Sequence, residues 1–283
     1  MNSIRGVQRF RFSIISIFMM IVMIPFHALA VTLDYQLYAN ILANYVHEEK
    51  TIRGIKLNVV DYDGLYQESS DPSSGYSKFL TQLSQFDPNS LPSRNEQIAF
   101  WINAYNIGAI KMILDHYPVS GIRSRKINFL KNPWRKKILN INGRIYSLGE
   151  IEHEILLGKY KEKMIHFGVV CASLSCPDII KEVYRGENLS SQLERQARRF
   201  VNNPAKGLTI DRTNNTVYVS KVFKWDKKNF SRGIEDIIPF ILPFVESNQD
   251  REYLKTKHYK LDFLDYDWDL NTLKTEKAVL KLR

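Results

Sequence analysis

The chain has 283 residues, of which 44% are hydrophobic and 12% aromatic, so it can bury a core and is not a wholly disordered protein. Its formal net charge is +10. No glycine-rich phosphate loop, zinc-finger spacing or aromatic RNA-binding signature accompanies this charge, which argues against nucleic acid as a partner. We expect the basic residues to form solvated edges with some attraction to an anionic envelope surface.

The first 30 residues have the pattern of a secretory signal. Three arginines precede an apolar core from Phe12 to Phe26, and the small-residue site "ALA" ends at Ala30. The core is shorter than the ~20 apolar residues of a typical membrane-spanning helix. Cleavage after Ala30 is therefore favoured over retention as an anchor. We expect an exported protein, periplasmic or extracellular, without stable membrane insertion after cleavage.

Hydrophobic periodicity and turn signals predict a mostly helical chain with short strands. The predicted elements are, in chain order, a helix (33–49), a strand (55–62), two helices (76–86 and 96–118), a hairpin (136–148), a helix (148–158), a strand covered on both faces (164–170), a helix (189–203), a hairpin (208–223) and a helix (233–247). The aromatic tail 261–271 is expected to pack back on the body. Together they predict a single α+β domain over residues 31–283, mostly helical with a small antiparallel sheet.

One carboxylate stands on the wrong face of the helix that follows Ser147, whose spacing to Glu150 is that of a capping box. At 100° per residue, Glu152 falls within the apolar face of that helix, whereas His153 falls on its flank. A carboxylate on a buried face needs a partner. Glu152 therefore belongs either to a functional site or to a buried salt bridge.

Three other polar residues stand in apolar surroundings. His166 lies within the predicted strand 164–170, where a neutral histidine bonded to backbone is the common outcome. Because odd separations along a strand point to opposite faces, His153 is the better base for Cys171. Asn103 and Asn106 share one side of the buried helix 96–118. They either anchor a loop or line a pocket as donors to a substrate carbonyl.

The only two cysteines are Cys171 and Cys176. A thiol between a strand and a helix meets unpaired backbone N–H groups, which favour a reactive thiolate. An oxidising compartment instead favours a disulfide, provided that an irregular turn before Pro177 brings the two residues together. The sequence leaves both interpretations open. The single C-x4-C spacing does not predict a zinc site, and we expect no metal or cofactor.

Five motifs occur in an order that is typical of one family. They are "AFWINAYN" (99–106), "SLGEIEHEIL" (147–156), "IHFGVVCASLSCP" (165–177), "VFKWDKKNF" (222–230) and "LDYDWDLN" (264–271). Over about residues 59–271 the chain resembles the domain of unknown function numbered 547, found in exported bacterial proteins. The resemblance implies a core like that of papain-like or transglutaminase-like cysteine enzymes in rearranged order. It also implies a reactive set of Glu152, His153 and Cys171, with His166 as the competing histidine.

Two functions follow from these residues. In the first, an exported thiol hydrolase or acyl transferase acts on a peptide or amide, including cell-wall material: Cys171 attacks, His153 takes the proton and Glu152 supports the imidazole. In the second, a non-catalytic binding domain carries a structural Cys171–Cys176 disulfide, and its polar residues form a recognition pocket. A count of free thiols separates the two hypotheses. The oligomeric state is not predicted.

Overall fold

Helix α4 (Arg94–Leu114) lies at the centre of the fold. It begins at a capping box in which Ser93 Oγ accepts from the backbone N–H of Glu96 while the Glu96 carboxylate accepts from that of Ser93. Every residue from Ile98 to Ile110 is buried. The predicted buried helix is therefore confirmed, although it ends before Pro118.

The computed structural model describes residues 32–130, 132–230 and 232–273. The predicted signal 1–30 lies outside these residues. The other α-helices are α1 (Tyr35–Tyr45), α2 (Tyr62–Ser69), α3 (Gly75–Gln85), α5 (Leu189–Val201), α6 (Lys221–Trp225), α7 (Ile237–Ile241) and α8 (Asn248–Thr256). A π-helix spans Glu150–Lys159, and short 3-10 helices span Pro88–Ser90, Pro133–Arg135, Lys163–Phe167, Lys227–Asn229, Gly233–Asp236 and Leu242–Phe244. The architecture is a single α+β domain.

Within the residues that the structure describes, the strands form three small sheets. Two are antiparallel hairpins, β1 (Val46–Ile52) with β2 (Ile55–Val60) and β3 (Lys137–Ile141) with β4 (Arg144–Ser147). The third joins β5 (Leu208–Asp211), β6 (Thr216–Val219) and β7 (Lys260–Phe263), with a parallel β6–β7 pair that the sequence does not predict. The turn of the β3–β4 hairpin is the predicted Asn142-Gly143, where both residues have positive φ.

The prediction of a strand over Met164–Val170 is wrong. Lys163–Phe167 form a 3-10 helix, and the backbone from Gly168 to Val170 is irregular. The run is apolar because Phe167 packs in a cluster of rings that includes Phe200 and Phe240. A short apolar run has no period that separates these two structures, so burial alone explains the pattern.

The predicted helix 233–247 is also interrupted. Its residues form the 3-10 helix Gly233–Asp236, helix α7 and the 3-10 helix Leu242–Phe244. Pro239 and Pro243 lie within this stretch, and a proline removes a helical N–H donor. The helical residues therefore run without a gap from Gly233 to Phe244 but change type twice, so they do not form the single α-helix that the sequence predicts.

The C-terminal tail packs back on the body, as predicted. The backbone N–H of Leu174 donates to the carbonyl of Asp269 over 2.9 Å, and that of Leu270 donates to the carbonyl of Ser120 over 2.8 Å. The N–H of Val60 donates to the carbonyl of Asn271 over 2.9 Å. The tail thus ties β2, the loop after α4 and the cysteine segment together.

Candidate functional site

A cavity of about 430 Å³ contains all four residues that the sequence assigns to catalysis. Cys171, His153, Glu152 and His166 line it, although they come from the π-helix, the 3-10 helix that follows and the irregular segment after that. Five aromatic residues form much of the remaining wall: Tyr105, Trp134, Trp225, Tyr266 and Trp268. The cavity therefore combines titratable groups with flat apolar surfaces, which is the composition of many ligand sites.

Glu152 lies on the π-helix, and its side chain lines the cavity. The capping box predicted at Ser147 is present: the Ser147 N–H donates to Glu150 Oε2 over 2.7 Å, and the Glu150 N–H donates to Ser147 Oγ over 3.2 Å. Burial raises the pKa of Glu152, while the imidazoles of His153 and His166 partly oppose that shift. A carboxyl whose pKa is raised can hold a proton closer to neutral pH than an ordinary glutamate.

Tyr105 is the aromatic partner of that carboxyl. Its hydroxyl interacts with Glu152 and accepts a hydrogen bond from Trp134 Nε1 over 3.1 Å. Burial, and next the charge of Glu152, raise the pKa of Tyr105 well above its ordinary value. The phenol thus stays protonated and remains a donor toward the carboxylate.

Asp226 lies between the two histidines. Its Oδ2 is 2.9 Å from Nε2 of His166, and its Oδ1 is 3.9 Å from Nδ1 of His153. His166 is almost fully buried among Phe223, Phe230 and Phe240, whereas His153 is exposed. A carboxylate oxygen, rather than the backbone carbonyl that is common for a buried histidine, thus faces the imidazole within ion-pair distance, and the two atoms are not aligned as a hydrogen bond.

The two cysteines are bonded to each other in the cavity wall. Their Cα atoms are 6.2 Å apart, and Ala172, which follows Cys171, has a positive φ of 57°. The irregular turn that the sequence left open is therefore present. The Tyr266 hydroxyl donates to Cys176 Sγ over 3.1 Å and lies 3.2 Å from Cys171 Sγ. The polar contacts of Cys171 Sγ are thus with hydroxyl groups, Tyr266 and Ser173.

Asn103 and Asn106 are not among the residues that line the cavity. Asn106 Nδ2 donates to the Gly168 carbonyl over 2.9 Å, and its Oδ1 accepts from the Val170 N–H over 2.9 Å. Asn103 makes the same pair of bonds with the backbone of Tyr184, over 2.8 and 3.0 Å. Both amides therefore hold loops, which is one of the two roles that the sequence left open.

Several residues of the site are not predicted from the sequence. Asp226 and Trp225 lie in "VFKWDKKNF", and Tyr266 and Trp268 lie in "LDYDWDLN". Both motifs carry the family resemblance, but their spacing assigns no role to these four residues. Apart from that resemblance, these segments are notable only for tryptophan, tyrosine and aspartate close together in short polar stretches. Such a composition indicates a site but does not show which residues contact each other.

Two classes of site lack candidates in the part of the chain that the structure describes. Within residues 32–130, 132–230 and 232–273, no group of three or more histidine, cysteine or carboxylate side chains is placed to hold a metal ion. Over the same ranges, no helix combines the length and apolar character that a membrane crossing requires.

Comparison with known proteins gives one match. Neither the curated proteins nor the solved structures contain a match to this chain. The implied relationship to papain-like or transglutaminase-like enzymes therefore has no support from these comparisons. Residues 88–201 match the model of a family described as a protein of unknown function, DUF547. This range holds the segments that carry Glu152, His153, His166 and Cys171 and ends before Asp226 and Tyr266. The match therefore supports the resemblance over a shorter range than residues 59–271.

Proposed function

We propose that the chain is an exported binding domain whose cavity recognises a ligand and whose Cys171–Cys176 disulfide is structural. The observation that carries this proposal is the bond between the two cysteines, with the Tyr266 hydroxyl against both sulfurs. A thiolate is the nucleophile in cysteine enzymes, and a sulfur in a disulfide is not available as one. The presence of this disulfide agrees with the expected export to an oxidising compartment.

The wall of the cavity supports a ligand with both flat and polar parts. Trp225 and Trp268 stack with ring centroids 5.1 Å apart, and the Arg123 guanidinium lies 4.9 Å from the Trp268 ring centroid. Glu152 and Asp226 supply hydrogen-bond acceptors beside these rings. A peptide or a cell-wall fragment has the apolar faces and donor groups that this wall can contact.

A thiol hydrolase or acyl transferase is the second candidate. Its support is that Cys171, His153, His166 and Glu152 share one cavity. After reduction of the disulfide, a cavity imidazole would take the proton of the Cys171 thiol, and the thiolate would attack an amide or ester carbonyl. The imidazolium would give that proton to the leaving amine or alcohol, and water or an acceptor nucleophile would then release the acyl group from the sulfur. The cysteine-enzyme relationship implied by the family resemblance belongs to this candidate.

The state of the sulfurs separates the two candidates. Protein exported from cells and purified without reductant is unfolded, and its free thiols are counted. None is expected for the binding domain, and two would overturn it. The folded protein is then treated with a thiol-directed electrophile before and after reduction, with Cys171→Ser and Cys176→Ser as matched variants. The enzyme would be established if rapid labelling of the wild type required reduction, if it was lost in Cys171→Ser but not in Cys176→Ser, and if the reduced protein hydrolysed an amide.

Binding is measured by tryptophan fluorescence during titration with cell-wall muropeptides. Trp225 is about half exposed at the cavity, so Trp225→Ala is expected to weaken binding without unfolding the domain. Tyr66→Ala is the matched control, because Tyr66 is similarly exposed and does not line the cavity. Equal binding by wild type and Trp225→Ala would contradict the assignment of the cavity as the ligand site.

A further inference from the structure

A basic stretch of the sequence carries an exposed apolar tip. Between Asp115 and Glu150 the chain has eight lysine or arginine residues and no aspartate or glutamate. Phe129 and Leu130 lie in this stretch with 79% and 82% of their surfaces exposed, the highest values among the large hydrophobic residues that the structure describes. Two adjacent apolar side chains are thus exposed to water within a stretch of sequence whose charged residues are all basic.

The tip, residues 128–130, is anchored by a turn within it and by the residues that precede it. Asn128 Oδ1 accepts from the backbone N–H of Leu130 over 2.9 Å, which closes a turn. Ile127, which precedes it, is buried. Lys126 Nζ donates to the Pro118 carbonyl over 3.1 Å. The backbone on one side of the tip is therefore fixed to the body, while Phe129 and Leu130 are exposed to water.

Four exposed cations flank the tip along the chain: Arg123, Arg125, Lys126 and Arg135. Exposed apolar side chains flanked in sequence by cations match the acyl and headgroup layers of an anionic bilayer. A pair of side chains buries far less than the roughly 800 Å² per partner of a stable protein interface, which favours a lipid surface over a protein partner.

We propose that this tip docks on an anionic lipid bilayer, with Phe129 and Leu130 entering the boundary between headgroups and acyl chains. Arg123 and Leu130 also line the cavity. Docking thus sets part of the cavity wall against the lipid surface, where envelope-bound ligands are presented. The proposal is independent of whether the cavity binds or hydrolyses its ligand.

The test is co-sedimentation with vesicles of phosphatidylcholine alone and with vesicles of equal parts phosphatidylcholine and phosphatidylglycerol. All variants share one form of the chain, so any contribution of residues 1–30 is constant. Wild type is expected to bind only the anionic vesicles and to dissociate as salt is added. A double variant, Phe129→Ser with Leu130→Ser, should lower the partition coefficient about tenfold or more.

Matched controls separate the tip from general surface properties. Ile234→Ser removes another exposed apolar residue and should leave binding unchanged. Arg125→Glu with Arg135→Glu should weaken binding about tenfold or more, whereas Lys181→Glu should have a much smaller effect. Each of the following results would overturn the proposal: no sedimentation of wild type, equal sedimentation of the double variant, equal binding to both vesicle types, or a double variant that loses only self-association in sedimentation velocity.

Discussion

Replacement of Asn106 by alanine should destabilise the domain, because this side chain holds the segment that leads to Cys171. Its amide is 3% exposed and satisfies the Gly168 carbonyl and the Val170 N–H, each over 2.9 Å. Alanine has no group that can replace either bond. Both backbone groups would remain buried without these partners, and such groups are costly in a protein interior.

The size of the effect follows from these two groups. A buried backbone donor or acceptor that loses its partner costs about 1–3 kcal/mol. Two such groups predict that Asn106→Ala lowers the free energy of unfolding by about 2–6 kcal/mol. This is a large fraction of the roughly 5–15 kcal/mol that is typical of a folded protein. Equilibrium unfolding in urea, followed by tryptophan fluorescence, measures the difference.

Asn140→Ala provides the matched control, since Asn140 is an exposed asparagine on β3. Its replacement should change the free energy of unfolding by no more than about 0.5 kcal/mol. If Asn106→Ala were as stable as this control, the two bonds would not contribute as argued. If Asn106→Ala instead kept its stability and lost ligand affinity, the residue would belong to the binding site, contrary to its position in the structure.

Two further predictions concern buried charges. The raised pKa of Glu152 means that the folded state binds its proton more tightly than the unfolded state, so ionisation costs stability as pH rises above the ordinary value of 4.5. Glu152→Gln should therefore gain stability relative to wild type between acid and neutral pH in urea unfolding, and a difference that does not change with pH would contradict this. Asp178 Oδ1 lies 2.6 Å from the buried Lys206 Nζ, and Asp178 Oδ2 lies 2.9 Å from Arg199 Nε. Asp178→Asn should therefore lower the free energy of unfolding by about 3–5 kcal/mol, whereas Asp265→Asn, at an exposed position, should lower it by less than about 1 kcal/mol. Equal losses of stability in the two variants would refute the argument.

The features that the sequence predicts correctly depend on neighbouring residues. Ser147 and Glu150 form their capping box because both partners lie within one turn. Asn142-Gly143 turn the β3–β4 hairpin because both residues tolerate positive φ. The buried helix α4 follows from apolar residues on nearly every face. In each case the interaction that selects the structure is local, so the local pattern predicts it.

The wrongly predicted strand and the missed site residues have partners that are distant in the chain. Whether the segment before Cys171 forms a strand or a 3-10 helix depends on packing between Phe167 and rings from α5 and α7. The partnership of Asp226 with His166 spans 60 residues, and periodicity carries no information on such pairs. The tail that brings Tyr266 to the sulfurs is equally distant. The sequence therefore identifies which residues are unusual more reliably than it identifies their partners.

The same tail holds the cavity wall in one shape, so the two candidate functions differ only in whether the two sulfurs are bonded or reduced. The Leu174 N–H donates to the Asp269 carbonyl over 2.9 Å, and the Asn271 N–H donates to the Ala172 carbonyl over 3.4 Å. These bonds hold the segment between the cysteines independently of the disulfide. Reduction should therefore free the thiols while the wall stays in place. Ligand binding that survives reduction, measured beside the thiol count, would establish that the disulfide is dispensable for recognition; binding lost on reduction would contradict this role of the tail.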